Sequence, residues 1–542
     1  MSNEKQALLG DEAVALGAIH AGVSAAYGYP GTPSTEILQY LIDEYKKNPS
    51  GPSAAWCANE KTALEAALGV SFAGRRAIVT MKHVGLNVAS DPFINSALLK
   101  IKGGLVVAVA DDPGMHSSQN EQDSRFYANF AMVPCLEPRN QQEAYDMVRE
   151  AFDVSECFNI PVLLRLVTRL AHARAGVVTA PKKQQNKVSK TDEKEKWMLL
   201  PAFARKNYAS LLDKQAVFEE WAFQHSVNEL TGSKSDLGII TSGIGCNYYE
   251  ENLDDFIAMR KKQGKKAPLH LHIGAYPLPV KKIRQLCENA DEVIVIEEGQ
   301  NFIAGKIFGI TGGAFTNIKP LIPSGELDPD NVRAALGLAP RKSALRTPAG
   351  LPQRPPQLCQ GCPHADSYET INKAAASLDP RSGHPDVAIN SDIGCYSLGA
   401  APPYSAIESV VCMGACIGMA KGASDAGLKY SLAVIGDSTF IHSGITALID
   451  AATANTPMTI IILDNSTVAM TGCQPTMVPS EKLVNLISGC GVNSSHLIVL
   501  EAKKQLLEEN AAKLKAEIEY RGLSVVIFRR ECLEAFRKNK KQ

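Results

Sequence analysis

The sequence predicts an α/β protein made of three doubly wound parallel-sheet domains. Short, uniformly apolar runs alternate with longer segments of helical periodicity, and two aperiodic stretches divide that alternation into three parts. In addition, Gly436-Asp437-Ser438 and Asp464-Asn465 each follow an apolar run directly. That position is the carboxyl end of a strand, where open parallel sheets bind ligands.

In residues 1–180, helical stretches at Asp11–Ala26, Asn59–Phe72 and Gln141–Cys157 alternate with apolar runs at Arg76–Thr80 and Gly104–Ala110. Parallel strands are covered by helices on both faces, so they read as continuous apolar runs rather than alternating ones. Residues 181–235 begin as a Lys- and Gln-rich linker and continue into a helical segment. Residues 236–340 form a second unit, with strands expected at Leu237–Thr241, Leu269–Ile273 and Glu292–Glu297. Prolines crowd residues 341–357, and their fixed φ and missing N–H mark a linker. The third unit, 358–542, has strands expected at Val387–Asn390, Ser431–Ile435, Met458–Leu463 and Leu523–Phe528.

With 542 residues, 45% of them hydrophobic, the chain can bury several cores. Its 56 Lys and Arg nearly balance 57 Asp and Glu, which predicts a small-molecule enzyme with no nucleic-acid or membrane partner. No run approaches the roughly 20 apolar residues of a membrane span, and the opening residues do not resemble a signal peptide, so a cytoplasmic protein is expected. Thirteen cysteines are too sparse for a disulfide scaffold. Cys57, Cys157, Cys246, Cys287 and Cys490 read as small buried apolar residues.

A diphosphate requires a hard divalent cation, and such a cation takes oxygen ligands. Asp437, Asn465 and the Thr467 carbonyl supply a carboxylate, an amide and a backbone oxygen. Gly414, Gly418 and Gly436 would let backbone approach phosphate without interference from a Cβ, with Ser438 beside them. Each motif alone is equally a strand-terminating turn. Together, with Asn465 28 residues after Asp437, they match the cofactor motif of thiamine diphosphate enzymes.

That cofactor is activated by a carboxylic acid at its aminopyrimidine ring, which the protein must supply. Glu60 opens an Ala- and Leu-rich helix, where burial favours sharing a proton. Read by itself it is a first-turn acid stabilised by the helix dipole. Upstream, Thr32 is expected to cap a helix beginning at Pro33, whose free N–H groups would suit a substrate carboxylate. A capped helix with no further role is the alternative.

Gly28–Glu36, Thr80–Asn87, Asp111–Arg125, Leu358–His364 and Gly436–Gly472 together resemble the large subunits of indolepyruvate ferredoxin oxidoreductases, within the pyruvate:ferredoxin oxidoreductase superfamily. The resemblance implies a pyrimidine-binding domain, a transketolase C-terminal-like domain and a diphosphate-binding domain, in that order. It implies Glu60 as the aminopyrimidine partner, Thr32 near the substrate carboxyl, and Asp437, Asn465 and Thr467 as magnesium ligands. His83, His116 and Arg125 fall near the active site by the same match, His83 and His116 as catalytic candidates or as structural residues, and Arg125 as a catalytic candidate able to grip a carboxylate bidentately or, equally, to bridge subunits.

Cys359 and Cys362 form a C-x-x-C that by itself suits a redox pair, half a zinc site or half a cluster site. Members of the superfamily with a cluster beside the cofactor add one cysteine after a strand and one near the chain end. Cys395 and Cys532 occupy those places and would complete a [4Fe–4S] site. Cys412 and Cys416, one helical turn apart, are expected to face the core or the cofactor. The family's large subunit usually continues into a ferredoxin-like module, which this sequence lacks. Electrons are therefore expected to leave from the single cluster, to ferredoxin or to another electron-accepting subunit. The resemblance further implies a smaller subunit, in a dimer of heterodimers, with a 2-oxoacid and coenzyme A as substrates.

Overall fold

The computed structural model describes residues 5–48, 51–190, 193–321, 324–341, 350–352, 356–381 and 383–540. Most of the expected linker 341–357 lies outside them. The chain forms two compact units, Met1–Arg346 and Thr347–Gln542. The first unit holds both sheets expected as separate domains. Among the described residues no helix is long and apolar enough to cross a membrane.

The larger sheet of the first unit has the spatial order Ala275–Tyr276, Cys135–Leu136, Val162–Val167, Leu105–Asp111, Ala77–Lys82, Ala25–Gly28, Ser53–Trp56. All neighbours are parallel except Ala275–Tyr276, which pairs antiparallel to Cys135–Leu136. That last pair comes from the region of the second sheet and joins the two. The second sheet has the order Ile318–Pro320, Glu292–Ile296, Leu237–Ser242, Leu269–Ile273, Leu230–Thr231. The helix Pro201–Gln224 precedes it.

The expected helix Asp11–Ala26 is in fact the helix Gly10–His20 followed by the central strand Ala25–Gly28. Gly22, in the left-handed region at φ 75°, ends the helix, which a side-chain-bearing residue would do at a cost. A run of alanines and valines on both sides hid that boundary. The strand Lys5–Leu9, paired antiparallel with Arg174–Val178, was also unforeseen.

The second unit is built on a six-stranded parallel sheet with the order Ser409–Val410, Val387–Ser391, Tyr430–Gly436, Met458–Asp464, Leu523–Arg529, Leu497–Glu501. Tyr430–Gly436 and Met458–Asp464 are buried along their whole length. Numbered within each sheet in chain order, and setting aside Ala275–Tyr276, the two large sheets wind identically, 2-1-3-4-6-5. In both, the order reverses between the first and third strands, which opens a crevice at their carboxyl ends.

Candidate functional site

In the second unit the crevice lies between the ends of Val387–Ser391 and Tyr430–Gly436, where Asp392 and Asp437 follow. Asp437 accepts hydrogen bonds from the backbone N–H of Ser438 at 2.7 Å and of Ser466 at 2.9 Å. Burial, and next the neighbouring Asp464 carboxylate, push its acid up to about 8. Asp464 is itself held by Ser480 Oγ at 2.6 Å and Arg529 Nε at 2.8 Å. Asn465 Oδ1 accepts from the Thr467 N–H at 3.1 Å, and its Nδ2 lies 3.1 Å from His364 Nε2. Thr467 is buried, its hydroxyl donating to the Gln474 carbonyl at 3.0 Å.

Ser438 Oγ is buried with no hydrogen-bond partner. Two crowded acids with a neighbouring amide suit a divalent cation, and an unsatisfied hydroxyl suits a phosphate oxygen. The residues present therefore fit magnesium and a diphosphate. Gly436 is tight, since a Cβ there would come within 2.5 Å of the Tyr396 ring. Gly414, at φ 90°, donates its N–H to Asp392 at 2.8 Å. Gly418 is different: it is exposed, with open space where a Cβ would be. No side chain or backbone of this chain crowds it.

Cys359, Cys362, Cys395 and Cys532 come together in the same unit. Burial pushes the Cys395 thiol up to about 12, with Cys362, Cys532 and Cys359 adding to the effect. Cys362 is raised likewise by burial, then by Cys359 and Cys532. The set is pinned to the cation side, because the Cys532 N–H donates to the Asn465 carbonyl at 3.2 Å. Arg530 bonds Asp366 at 2.6 Å and the Gly361 carbonyl at 3.0 Å. Thiols gathered in this way suit a bound cation, which deprotonates them outright. The set thus fits an iron–sulfur cluster. Cys473 is a fifth thiol near Cys532. Cys416 is buried as expected, but Cys412 is exposed.

In the first unit, Gly28, Glu60 and His83 gather at the carboxyl edge of the seven-stranded sheet. Glu60 is buried at the start of the helix Glu60–Phe72, with Asn59 as its N-cap. Gly85 packs closely beside it, since a Cβ there would lie 2.5 Å from Glu60 Oε1 and would displace that side chain. Lys82, pushed down to about 8 by burial against the pull of Asp112 and Glu60, donates to the Ser117 carbonyl at 2.7 Å. His83 Nε2 is 3.1 Å from the Asn120 carbonyl, and its Nδ1 is buried without a partner.

Thr32 is half-buried but does not cap the helix. The helix is Thr35–Lys47, and the turn before it is closed by Ser34 Oγ donating to the Gly31 carbonyl at 2.8 Å and the Gly31 N–H donating to Thr35 Oγ1 at 3.0 Å.

Arg125 and His116 belong to the segment that follows the strand Leu105–Asp111 at that edge, where the Ser124 N–H donates to Asp111 at 3.0 Å. Arg125 is fully buried, chelated by Asp123 through Nε at 2.9 Å and Nη2 at 2.5 Å. Its Nη1 lies 3.0 Å from Glu297, and Phe302 stacks on the guanidinium at 5.2 Å. Beside it Arg165 joins Asp111 at 2.7 Å and also Glu137. The bidentate grip anticipated from the sequence is therefore made with this chain's own carboxylates, and it bolts the first sheet to the second. His116 is exposed, 3.5 Å from Glu326.

The sequence reading assigned no separate role to Asp392, Asp464 or His364. The first two sit at strand ends, so the rule that singled out Asp437 would have found them. His364 is part of the C-x-x-C-P-H segment, but its partner Asn465 is 101 residues away. Among the five cysteines expected in the core, Cys246 and Cys287 are buried, Cys57 and Cys490 are partly so, and Cys157 is exposed.

Known proteins resemble this chain in both units. Residues 16–234 match the family "pyruvate flavodoxin/ferredoxin oxidoreductase, thiamine diP-binding", and residues 392–528 match the C-terminal binding domain of thiamine pyrophosphate enzymes. Indolepyruvate oxidoreductase subunit IorA of Archaeoglobus fulgidus is 35% identical, over 98% of this chain and 86% of that one. The Pyrococcus abyssi protein of the same name is 34% identical with the same coverage. The solved 2-oxoglutarate:ferredoxin oxidoreductase of Magnetococcus marinus, with 2-oxoglutarate, coenzyme A and succinyl-CoA bound, shares the fold at TM-score 0.51 and 16% identity, over 62% of this chain and 65% of that one. The chain thus belongs to the IorA family of indolepyruvate oxidoreductase subunits, whose members are thiamine diphosphate-dependent 2-oxoacid oxidoreductases.

Proposed function

We propose that this chain catalyses oxidative decarboxylation of an aryl or otherwise bulky 2-oxoacid such as indolepyruvate. Coenzyme A takes the acyl group, and electrons leave through one [4Fe–4S] cluster. Thiamine diphosphate, when bound, supplies the nucleophile for the keto carbon and the electron sink for loss of carbon dioxide. Asp437, Asn465 and the Thr467 carbonyl hold Mg2+, while Gly414, Gly436 and Ser438 face the phosphates. Glu60 keeps a proton at the aminopyrimidine ring. Thr32 hydrogen-bonds the substrate carboxylate, and His83 offers Nδ1 to the bound reactants. Cys359, Cys362, Cys395 and Cys532 hold the cluster. Arg125 is a structural brace and His116 a surface residue of this unit. A smaller subunit completes a dimer of heterodimers in the cytoplasm, and the electrons pass to ferredoxin or to a further electron-accepting subunit.

The observation that carries this reading is the gathering of four thiols against the strand end that bears Asn465. Simple decarboxylation, in which the product is only protonated, has no use for an electron relay there. Iron and acid-labile sulfide in the anaerobically purified complex, and its reduction of ferredoxin with arylpyruvates with and without coenzyme A, test the reading. Four iron atoms per chain, lost in Cys395→Ser together with ferredoxin reduction, are expected. A cluster-free complex with full decarboxylase activity would make the protein a lyase instead.

A further inference from the structure

We infer that Asp11, Glu36 and His172 form a divalent metal site in the first unit, separate from the magnesium and cluster sites above. One carboxylate oxygen from each acid and one imidazole nitrogen all lie within 4.8 Å of one another. Glu36 Oε2 and His172 Nε2 are 3.4 Å apart. Ligands bound to one tetrahedral zinc ion by bonds of about 2.0–2.1 Å stand about 3.3–3.4 Å from each other. That pair is already spaced as two ligands of a single ion.

Asp11 supplies the second, independent observation. Its side chain is completely buried, and both carboxylate oxygens lack a hydrogen-bond partner. A buried carboxylate in that condition is held either by a proton or by a cation. The fold forces it there. A Cβ at Gly10 would lie 2.2 Å from the Leu170 carbonyl oxygen, so the helix Gly10–His20 is pressed onto the short helix Thr168–His172. Glu36 enters from the first turn of the helix Thr35–Lys47. Three separate elements thus converge on one point, with the exposed His172 on its solvent side as the route of entry.

One imidazole with two carboxylates suits a borderline ion such as Zn2+ or Mn2+, and three protein ligands leave a coordination position for water. A bound ion would fix the start of the Thr35–Lys47 helix, directly after the turn that carries Thr32. The site does not depend on the function proposed above.

The test uses Zn2+ alone as the probe, titrated calorimetrically into the purified complex with Mg2+ and thiamine diphosphate present and followed by metal analysis after desalting. The unaltered complex should retain one zinc equivalent per chain that Asp11→Asn and His172→Ala each lose, with affinity at that site at least tenfold weaker. Zinc held by thiols would be unchanged in both variants. Anomalous diffraction at the zinc edge should place the ion among the three side chains. Equal zinc retention in all three proteins, or none in any, overturns the site and leaves Asp11 a neutral buried acid beside an ordinary Glu36–His172 pair. Should Asp11→Asn fail to fold, His172→Ala decides, because that residue is exposed at a helix end.

Discussion

The seven-stranded sheet of the first unit and the six-stranded sheet of the second wind in the same strand order, yet their carboxyl edges are chemically unlike. The second edge crowds Asp392, Asp437 and Asp464 among hydroxyls, an amide and four thiols, a set that asks for cations. The first edge is closed by glycine, with Gly85 against Glu60 and Gly31 against Lys82, and the carboxylates at the end of its strand Leu105–Asp111 are already engaged, Asp111 by Arg165 and Asp112 by Ser117, Ser118 and Thr168. The shared winding puts a crevice in the same place on both sheets. Which partner each crevice accepts is decided by a handful of side chains at the strand ends, so topology locates a site without naming its chemistry.

The sharpest way to break the comparison is to replace the carboxyl group of Glu60 at the first edge. Glu60→Gln is expected to lower the turnover of the assembled complex by about 10³- to 10⁴-fold, roughly 4–5.5 kcal/mol, with cofactor affinity by calorimetry little changed. Unchanged turnover would show that Glu60 is only a first-turn acid. Next in size is Arg125→Met, which strands Asp123, Glu137 and Glu297 in the interior of the first unit. Denaturant unfolding should show a loss of about 3–5 kcal/mol, because removing one partner leaves uncompensated buried charge. A variant of normal stability with impaired substrate binding would return Arg125 to the substrate. Asp437→Asn should follow, weakening binding of the Mg2+–cofactor pair about 100-fold while leaving iron content intact. Loss of iron as well would mean the two sites of the second unit do not act separately.

The strands were the legible part of the sequence. Leu105–Asp111 and Met458–Asp464 are covered on both faces, so burial writes a nearly continuous apolar run into each. Edge strands carry no such signature. Leu497–Glu501 has only one buried residue, and Lys5–Leu9 is fixed by a partner more than 160 residues away. At the site, Asp437, Asn465, Glu60 and the C-x-x-C pair were visible because each follows a strand or opens a helix in a recognisable local pattern. Arg125, expected as a catalytic candidate or a bridge between subunits, was legible only in part. Its chemistry as a carboxylate clamp was plain, but Glu137 and Glu297 reach it only through tertiary structure. Asp11, Glu36 and His172 were silent on the same ground, since three ligands from three distant elements leave no spacing to read.

The smallest expected effect separates the two units by pH. Asp437 in the second and Glu298 in the first are both acids pushed up to about 8, in each case by burial first. Each is protonated when folded and ionised when unfolded between the ordinary carboxylate range and pH 8. The stability it contributes is therefore complete below about pH 4 and is lost as pH rises towards 8, by at most about 1.4 kcal/mol per pH unit for each group. Metal-free protein should accordingly show a melting temperature that falls between pH 6 and pH 7. Mg2+ with thiamine diphosphate should flatten the Asp437 share, since ligation holds that carboxyl ionised, and should bind more tightly as pH rises. The Glu298 share, near the Arg165 guanidinium and away from any expected metal ligand, should persist. Asp437→Asn should remove from the metal-free slope the same portion that Mg2+ removes from the unaltered protein. If Mg2+ leaves the slope unchanged while still binding, the ion does not sit on Asp437, and the contrast drawn between the two edges fails at its centre.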